Sequence, residues 1–402
     1  MKKSLFGYGL TTSALCRSGG FDIYDDKFTQ SSFDEFGNAL LNPSKFDPLK
    51  SELEIPSPGF PRNHALIISA RNLMSEYDYF ASIAPKSVWI SGTNGKTTTT
   101  KMTQWLLENR GSVMGGNVGI PLANLVNLKA KLWILETSSF TLHHTKFATP
   151  EIYILLPITP DHLSWHGSFS EYEEAKLKPL SMMKEGSVAI VPQIYANRPS
   201  KAKIIGYKDE KDLAIKLDID IDLIKFKIPF LMDALLALCT EKLIFGVTSF
   251  RHLNDFVIEA HKLEEFKDRY GRIFVDDTKA TNIDATLQAL KRYVGKKLHI
   301  ILGGDDKGVD LSAVFEALRS FDVCVYAIGS NTDKIMDLCF KFGLPCERSE
   351  FLEIAVKKMD EHMSKNAKDN EIGLLSPACA SLDQFKSYAE RGDLFKKYIN
   401  SL

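Results

Sequence analysis

The stretch Lys86-Ser87-Val88-Trp89-Ile90-Ser91-Gly92-Thr93-Asn94-Gly95-Lys96-Thr97-Thr98 decides the fold of this 402-residue chain. Residues 86–90 predict a buried strand, and the spacing of Met102, Trp105 and Leu106 predicts a helix after the loop. Glycines in such a loop let backbone N–H groups turn toward phosphate oxygens, while Lys96 neutralises phosphate and Thr97 can bind Mg²⁺. The order of strand, glycine loop and helix therefore predicts a phosphate-binding loop, although Ile90 stands where the generic G-x-x-x-x-G-K-[ST] motif has its first glycine.

The rest of the chain predicts two more α/β domains, one on each side of this central one. Before the loop, a strand ending in a glycine turn precedes a helix start and a second strand, and strands and helices alternate again after about residue 258. The segments are 3–9, 11–15 and 21–26 on the N-terminal side, 132–135, 152–156 and 187–191 in the centre, and 272–277, 298–304 and 323–329 on the C-terminal side. We therefore predict an α/β protein with a Rossmann-like N-terminal domain at 1–84, a central P-loop ATPase-type domain with a parallel sheet at 85–258, and a C-terminal Rossmann-like α/β domain at 259–402.

The composition excludes several classes of protein. Hydrophobic residues make up 44% and charged residues 25%, as in ordinary globular proteins, so wholesale disorder is excluded. Lys plus Arg number 50 and Asp plus Glu 51, so the net charge of −1 offers no overall attraction to nucleic acid or anionic membranes. No apolar run approaches the roughly 18 residues of a membrane span. The six cysteines are scattered without paired spacing, which predicts a reducing cytoplasm, and a monomer is our default expectation.

Four further blocks of sequence, taken with the glycine loop, carry a resemblance to a known family. They are Leu135-Glu136-Thr137-Ser138-Ser139-Phe140, Asp276-Asp277-Thr278-Lys279-Ala280-Thr281-Asn282, Leu302-Gly303-Gly304-Asp305-Asp306-Lys307 and Leu375-Ser376-Pro377-Ala378-Cys379-Ala380-Ser381-Leu382-Asp383-Gln384-Phe385. Over its whole length the chain resembles the Mur ligase superfamily of ATP-dependent amide-forming enzymes, and the last block is most similar to the members that add D-glutamate. The resemblance implies addition of D-glutamate to UDP-N-acetylmuramoyl-L-alanine through an acyl phosphate, with release of ADP and phosphate, in cytoplasmic peptidoglycan precursor synthesis.

The resemblance also implies a catalytic set of Lys96, Glu136, His162 and Lys176. Glu136 and His162 both follow apolar strands, so we expect them at the carboxyl edge of the sheet, where open α/β sheets place ligands. In the family these two positions bind Mg²⁺, and the lysine is carbamylated by CO₂, which converts an ammonium into an anionic oxygen ligand. We therefore expect ATP with two Mg²⁺ ions, and Thr97, Glu136, His162 and carbamylated Lys176 as the ligands. Composition alone would make Lys176 a solvated surface lysine.

The binding residues follow from the same resemblance, and many have a plain alternative as turn or capping residues. ATP is expected at Gly92, Thr93, Asn94, Gly95, Lys96, Thr97, Thr98, Lys262, Asp277 and Lys279. D-Glutamate is expected in the C-terminal domain at Thr281, Lys307, Ser381, Leu382 and Tyr388. The nucleotide sugar is expected at Leu10, Thr11, Thr12, Lys27, Ser57, Gly59, Asn117 and Ser138. The helix N-terminus at residues 10–12 would hold its diphosphate.

Several positions depart from the family pattern. Pro157 stands where the family has an asparagine in the loop that leads to His162. Pro229-Phe230 replaces a His-Asn pair whose asparagine contacts adenine, so we expect a different adenine contact, such as stacking on Phe230. Lys262 replaces an arginine, which removes a bidentate donor, and Tyr388 replaces a phenylalanine.

Two other functions stay open at this point. One is another amide ligase of the superfamily, such as a folylpolyglutamate synthase, with a different acceptor; the block at 375–385 favours the D-glutamate ligase over it. The other is a nucleotide-binding regulator that kept the loop but lost the chemistry. The joint presence of all four catalytic residues argues against the regulator.

Overall fold

The computed structural model describes residues 2–363 and 370–402, and the chain divides into two compact units. One comprises Met1–Phe226 with Phe230–Phe256, and the other comprises Val257–Leu402 with Lys227–Pro229. Three β-sheets follow one another along the described chain, two in the first unit and one in the second. This confirms the predicted α/β class with three successive sheets, while the domain boundaries at 84 and 258 stay a prediction.

The first sheet has the strand order β3-β4-β2-β1-β5, with β3 antiparallel and the other strands parallel. Its strands are β1 (Lys2–Phe6), β2 (Phe21–Tyr24), β3 (Ser32–Phe33), β4 (Ala39–Leu41) and β5 (Ser51–Pro56), and its helices are α1 (Leu10–Cys16), α2 (Ala65–Ser69) and α3 (Glu76–Phe80). The predicted unit of strand, glycine turn, helix and strand is present, since β1 leads into α1 and pairs with β2.

The second sheet is wholly parallel, with the order β11-β10-β9-β6-β8-β7. Its strands are β6 (Lys86–Ser91), β7 (Ser112–Gly116), β8 (Leu132–Glu136), β9 (Ile152–Leu155), β10 (Val188–Pro192) and β11 (Lys203–Tyr207). Its helices are α4 (Lys96–Leu107), α5 (Leu122–Leu125), α6 (Ser139–His144), α7 (Leu163–His166), α8 (Phe169–Met182), α9 (Glu210–Lys216), α10 (Phe230–Phe245) and α11 (Phe250–Asn254). The strand that carries the glycine loop, β6, lies between β8 and β9, so all three carboxyl ends meet at one edge.

The third sheet has the order β12-β13-β17-β14-β15-β16, in which β12 is antiparallel. Its strands are β12 (Glu264–Lys267), β13 (Ile273–Asp276), β14 (Lys297–Gly303), β15 (Asp322–Ile328), β16 (Cys346–Glu350) and β17 (Glu371–Leu375). Its helices are α12 (Ile283–Arg292), α13 (Ser312–Leu318), α14 (Thr332–Phe342), α15 (Leu352–His362) and α16 (Tyr388–Asn400). Strands β13, β14 and β15 had clear sequence signals, whereas the polar edge strands β12 and β16 did not.

The first two sheets share one apolar core. Leu5 of β1 and Trp89 of β6 belong to the same buried cluster, and the ring of Tyr77 on α3 meets Trp89 edge-on at 4.8 Å. Central strand residues such as Ile90 and Ile134 have no exposed surface, because helices cover both faces of a parallel sheet. Within the described residues, we find no helix with the length and apolar character needed to span a membrane.

Candidate active site

The phosphate loop lies where β6 ends and α4 begins. Gly95 is the N-cap of α4 with φ +85°, and Gly92 has φ +140°, backbone conformations that L side chains rarely adopt. A Cβ on Gly92 would lie 2.5 Å from the Cβ of Leu156, so both space and dihedral angle require glycine there. The predicted order of strand, glycine loop and helix is therefore present, and the N–H groups of the loop lie at a helix N-terminus, where anions bind.

Lys96 is the first residue of α4, and its ammonium group turns back onto the loop. Its Nζ donates a hydrogen bond to the carbonyl oxygen of Thr93 at 2.7 Å. Burial lowers the pKa of Lys96 below its usual value, while the nearby carboxylates of Glu136 and Asp161 oppose that shift. An added phosphate would give this half-buried cation a partner of opposite charge.

Glu136 ends β8 beside β6, and its two carboxylate oxygens have different partners. Oε2 accepts a 2.7 Å hydrogen bond from the Thr97 hydroxyl, and Oε1 accepts a 2.6 Å hydrogen bond from the side-chain amide of Asn117. Glu136 is 2% exposed, so this carboxylate is held in one position. The fold thus joins three predicted residues from separate parts of the sequence in one contact group. Ser138, two residues further on, is the N-cap of α6 and accepts from the backbone N–H of Thr141.

Lys176 lies on α8 and is buried against the phosphate loop. Its Nζ donates to the carbonyl oxygen of Gly92 at 2.7 Å and lies 3.4 Å from the hydroxyl of Ser91. Lys176 is 1% exposed, which excludes the solvated surface lysine that composition alone suggests. Burial, with a further contribution from Lys96, holds the pKa of Lys176 well below its usual value. The environment therefore favours the neutral amine, which is the form that reacts with CO₂.

His162 precedes α7 with a left-handed backbone conformation, φ +52°. Its ring lies 4.8 Å from that of Phe140 and 6.3 Å from that of Tyr172, centroid to centroid. The Tyr172 ring in turn lies 4.8 Å from the Nζ of Lys176. The side chain of His162 is 48% exposed, so it is the most accessible member of the predicted catalytic set.

The residues predicted for the nucleotide sugar lie mostly around the N-terminus of α1. The hydroxyl of Thr12 caps this helix by accepting from the N–H of Gly9 at 2.9 Å, so this side chain has a structural partner. A Cβ on Gly9 would lie 2.7 Å from the Oγ of Ser57, which places the loop after β5 against α1. Leu10 is 87% exposed, Thr11 is half-buried, Gly59 has open space around its Cα, and the exposed Lys27 lies 3.8 Å from Asp25. Asn117 and Ser138 instead lie beside Glu136, at the carboxyl edge of the second sheet, which we call the Glu136 edge.

The second unit carries the residues predicted for D-glutamate and three of those predicted for ATP. Asp277 is buried, accepts from the Ser376 hydroxyl at 2.7 Å, and has its pKa raised to about 7 by burial. Lys262 and Lys279 both lie near Glu259, and the Nζ of Lys279 lies 5.5 Å from the ring centroid of Tyr388.

The other residues predicted for D-glutamate differ in exposure. Lys307 is exposed with φ +50°, Thr281 is half-buried, Ser381 is 3% exposed, and Leu382 is 69% exposed. Ser381 lies in a turn, and no helix begins there in the described structure, so the alternative of a helix cap does not apply to it.

Arg391 is a residue that sequence reasoning missed. Its side chain has no exposed surface, and it donates to the hydroxyl and carbonyl oxygens of Thr278 at 2.8 and 3.0 Å and to the carbonyl of Cys379 at 3.1 Å. It also reaches the carbonyls of Gly303 and Ala380. One guanidinium therefore joins the three segments that carry Lys279, Lys307 and Ser381. The sequence could have indicated its burial, because Arg391, Phe395 and Ile399 are spaced four residues apart and occupy one buried face of α16.

A second polar cluster in this unit has the composition of a metal site. His261, Glu264 and Asp276 place three donor atoms within 4.8 Å of one another. The Nζ of Lys396 lies 3.0 Å from Glu264 and 3.6 Å from Asp276, so a lysine ammonium already balances these carboxylates. We therefore interpret the cluster as an ion-pair network.

Comparison with known proteins supports one family. The model of the Mur ligase middle domain matches residues 90–227. The chain is 58% identical to a UDP-N-acetylmuramoylalanine–D-glutamate ligase of Campylobacter jejuni, over the full length of both chains. It is 45% identical to a UDP-N-acetylmuramoylalanine–D-glutamate ligase of Helicobacter pylori, over 99% of both chains.

Solved structures agree on the fold. The MurF ligase of Acinetobacter baumannii matches with a TM-score of 0.60 at 15% identity, covering 98% of this chain and 90% of that one. The MurF ligase of Thermotoga maritima in complex with ADP matches with a TM-score of 0.58 at 16% identity, covering 87% and 88%. Given the full-length identity to the first group of relatives, the chain belongs to the D-glutamate-adding branch of the Mur ligase family, the ATP-dependent UDP-N-acetylmuramoylalanine–D-glutamate ligases of peptidoglycan synthesis.

Proposed function

We propose that this chain transfers the γ-phosphoryl group of ATP to the terminal carboxylate of UDP-N-acetylmuramoyl-L-alanine and then lets D-glutamate attack the product. The carboxylate oxygen forms the new P–O bond as ADP leaves, which gives an acyl phosphate. The amine of D-glutamate then forms the amide bond, loses a proton, and displaces inorganic phosphate. Both steps balance without any further reactant.

The observation that carries this proposal is the contact group of Thr97, Glu136 and Asn117 beside Lys96 at the carboxyl edge of the second sheet. The first step brings two anions together, and two unit charges about 4 Å apart repel by roughly 4 kcal/mol at an effective dielectric constant near 20. The half-buried Lys96 and the N-terminus of α4 would stabilise the charge on the phosphoryl oxygens.

The donor atoms at this edge fit Mg²⁺. The Thr97 hydroxyl and the Glu136 carboxylate are hard oxygen donors already in contact at 2.7 Å, and Mg²⁺ prefers such ligands. Bound there with ATP, the metal would neutralise phosphate charge. His162 and carbamylated Lys176 are the remaining proposed ligands, and they lie on the neighbouring α7 and α8 segments.

The carbamate on Lys176 is supported by burial. The amine must be uncharged to attack the carbon of CO₂, and the low pKa of this lysine favours that form. The resulting carbamate would be an anion, which the neighbouring Lys96 ammonium would stabilise. Lys176 would then serve as an oxygen ligand at the same edge as Glu136.

The other substrates are assigned to the residues predicted for them. In the second unit, Lys262, Asp277 and Lys279 would contact ATP, while Thr281, Lys307, Ser381, Leu382 and Tyr388 would hold the two carboxylates of D-glutamate. In the first unit, the α1 N-terminus with Ser57, Gly59 and Lys27 would hold the UDP group, with Asn117 and Ser138 nearer the reacting end. Phe230 is only 9% exposed, which leaves little ring surface for the adenine stacking considered above. All six cysteines are free thiols, which supports a cytoplasmic location; a monomer remains our expectation.

The decisive experiment measures phosphate release from ATP with UDP-N-acetylmuramoyl-L-alanine and either D- or L-glutamate. We expect release with the D isomer and little with the L isomer. A rate that is the same without any amino acid, or no release with D-glutamate, would overturn the proposal. Activity with L-glutamate and a folate acceptor would instead favour the folylpolyglutamate synthase alternative.

A further inference from the structure

The loop between β5 and α2, residues 57–64, begins at the site proposed for the diphosphate of the nucleotide sugar, and we call it the nucleotide-sugar loop. The backbone N–H of Ser57 donates to the carbonyl of Phe6 at 2.8 Å, which anchors the loop to the end of β1. Its side chain faces Gly9, the residue before α1. This end of the loop therefore belongs with the α1 N-terminus.

The other end of the same loop is tied to the segment that carries the catalytic residues of the second sheet. The Nη1 of Arg62 donates to the carbonyl oxygen of His166, the last residue of α7, at 2.5 Å, and to the carboxylate of Glu171 on α8. The indole N–H of Trp165 donates to the carbonyl of Phe60 at 3.0 Å. Two polar side chains, one from each side, thus hold the loop against α7 and α8.

Helix α8 extends this connection to the phosphate loop. Lys176 lies five residues after Glu171 on the same helix, a distance of about 7.5 Å along its axis. Its Nζ contacts the carbonyl of Gly92. A continuous set of contacts therefore runs from Ser57 through Arg62, Glu171 and Lys176 to the phosphate loop, all within one compact unit.

We propose that Arg62 is a positioning residue that sets the nucleotide-sugar loop in register with the helix of Lys176, so that the acyl end of UDP-N-acetylmuramoyl-L-alanine reaches the phosphate loop. The inference rests on the proposed function for the identity of this substrate. The guanidinium group suits the role because its planar fork can hold a carboxylate and a carbonyl at once. Small misplacements of a bound reactant have large effects on rate, so this register matters for turnover.

The test compares Arg62→Met with a matched control on the same helix. Arg198→Met removes a guanidinium that pairs with Glu174 of α8 at 2.6 Å but does not touch the loop. We expect Arg62→Met to raise both the KM and the calorimetric Kd for UDP-N-acetylmuramoyl-L-alanine about tenfold, with unchanged KM for ATP and D-glutamate. Arg62→Lys should recover part of the loss, and Arg198→Met should leave all four constants unchanged.

A second variant separates positioning from simple destabilisation. Glu171→Gln should raise the same two constants, and the double variant should be no worse than Arg62→Met, because both changes break one contact. Unchanged binding in Arg62→Met, or equal losses for all three substrates, would overturn the inference while leaving the proposed function intact. Binding calorimetry needs no turnover, so it tests Arg62 even if the wild type releases no phosphate with D-glutamate, the result that overturns the proposed function.

Discussion

At the scale of single residues, burial changes what a residue type can do. Lys96 is half-buried and Lys176 is fully buried, although lysine is usually a surface residue, and the pKa values of both fall as a result. Glu136 is also buried, but each of its carboxylate oxygens accepts a hydrogen bond, so the carboxylate is oriented. A surface lysine and a buried lysine look the same in a sequence, but burial lowers the pKa of the amine and so favours its uncharged form, which is a nucleophile.

Lys176→Ala should abolish phosphate release, because the variant has no amine to carbamylate and loses a proposed ligand at the Glu136 edge. Lys178→Ala is the control on the same helix, since the Nζ of Lys178 donates to the carbonyl oxygen of His143 on α6, at 2.8 Å, and Lys178 belongs to none of the proposed sites. We expect it to keep most of the activity. Steady-state phosphate release with all three substrates measures both, and full activity in Lys176→Ala would remove the carbamate role.

At the scale of elements, loops acquire their geometry from side chains on helices. Arg391 on α16 joins the segments after β13, β14 and β17 through their backbone oxygens, although α16 itself contributes few of the proposed substrate contacts. The buried imidazole of His299 does similar work at the start of β14, between the Tyr326 hydroxyl at 2.9 Å and Glu371 at 3.2 Å. Both residues are structural, and each leads to a stability prediction.

Arg391→Met should lower the free energy of unfolding by about 3 kcal/mol, because several buried carbonyl groups lose their donor at once. Arg292→Met is the control, since its guanidinium pairs with the partly exposed Glu265 and should cost less than about 1 kcal/mol. Urea denaturation measures both variants. Equal, small losses would show that the carbonyls of the three segments find other partners.

His299 should make stability depend on pH. Burial, with a contribution from Lys297, lowers the pKa of His299 to about 4, while the unfolded chain has the ordinary value near 6.5. The unfolded state therefore binds more protons between these values, so the free energy of unfolding is highest above pH 6.5 and falls as pH drops toward 4.

The variant His299→Gln should show a shallower fall over the same pH range, by about 3 kcal/mol. Carboxylates titrate at the lower end of this range in both proteins, so the difference between the two curves is the quantity to measure. Parallel curves from urea denaturation at several pH values would contradict the assignment.

At the scale of the whole molecule, a net charge of −1 conceals local cationic sites. Lys96 lies in the first unit, and Lys279 and Lys307 lie in the second, each among residues proposed to hold an anionic reactant. Overall charge therefore predicts the absence of long-range attraction to polyanions but says nothing about small anionic substrates. Ligands that bind such sites should raise the free energy of unfolding of the chain.

MgATP should raise the midpoint of thermal unfolding, because a ligand that binds the native state stabilises it by about 2.7 kcal/mol at 100 times its Kd. Lys96→Ala should lose most of this shift, since the phosphate charge loses its cationic partner. Lys101→Ala, one turn and a half further along α4, should keep it. An equal shift in Lys96→Ala would place the nucleotide elsewhere.

By itself the sequence determined the α/β class, the succession of three sheets, the phosphate loop and the family, because these depend on local patterns: apolar strands, glycines with positive φ, and contiguous motifs. It also predicted that Glu136 follows a strand, which is enough to place it at a carboxyl edge. Polar edge strands such as β12 and β16 escaped prediction, since half of their residues face solvent and carry no apolar signal. Only the tertiary structure decided that Lys176 is buried on Gly92, that Thr97 and Asn117 hold Glu136, and that Arg62 and Arg391 tie separate segments together. The physical reason is that these contacts join residues far apart in sequence, and their burial and hydrogen bonds arise when the sheets and helices pack.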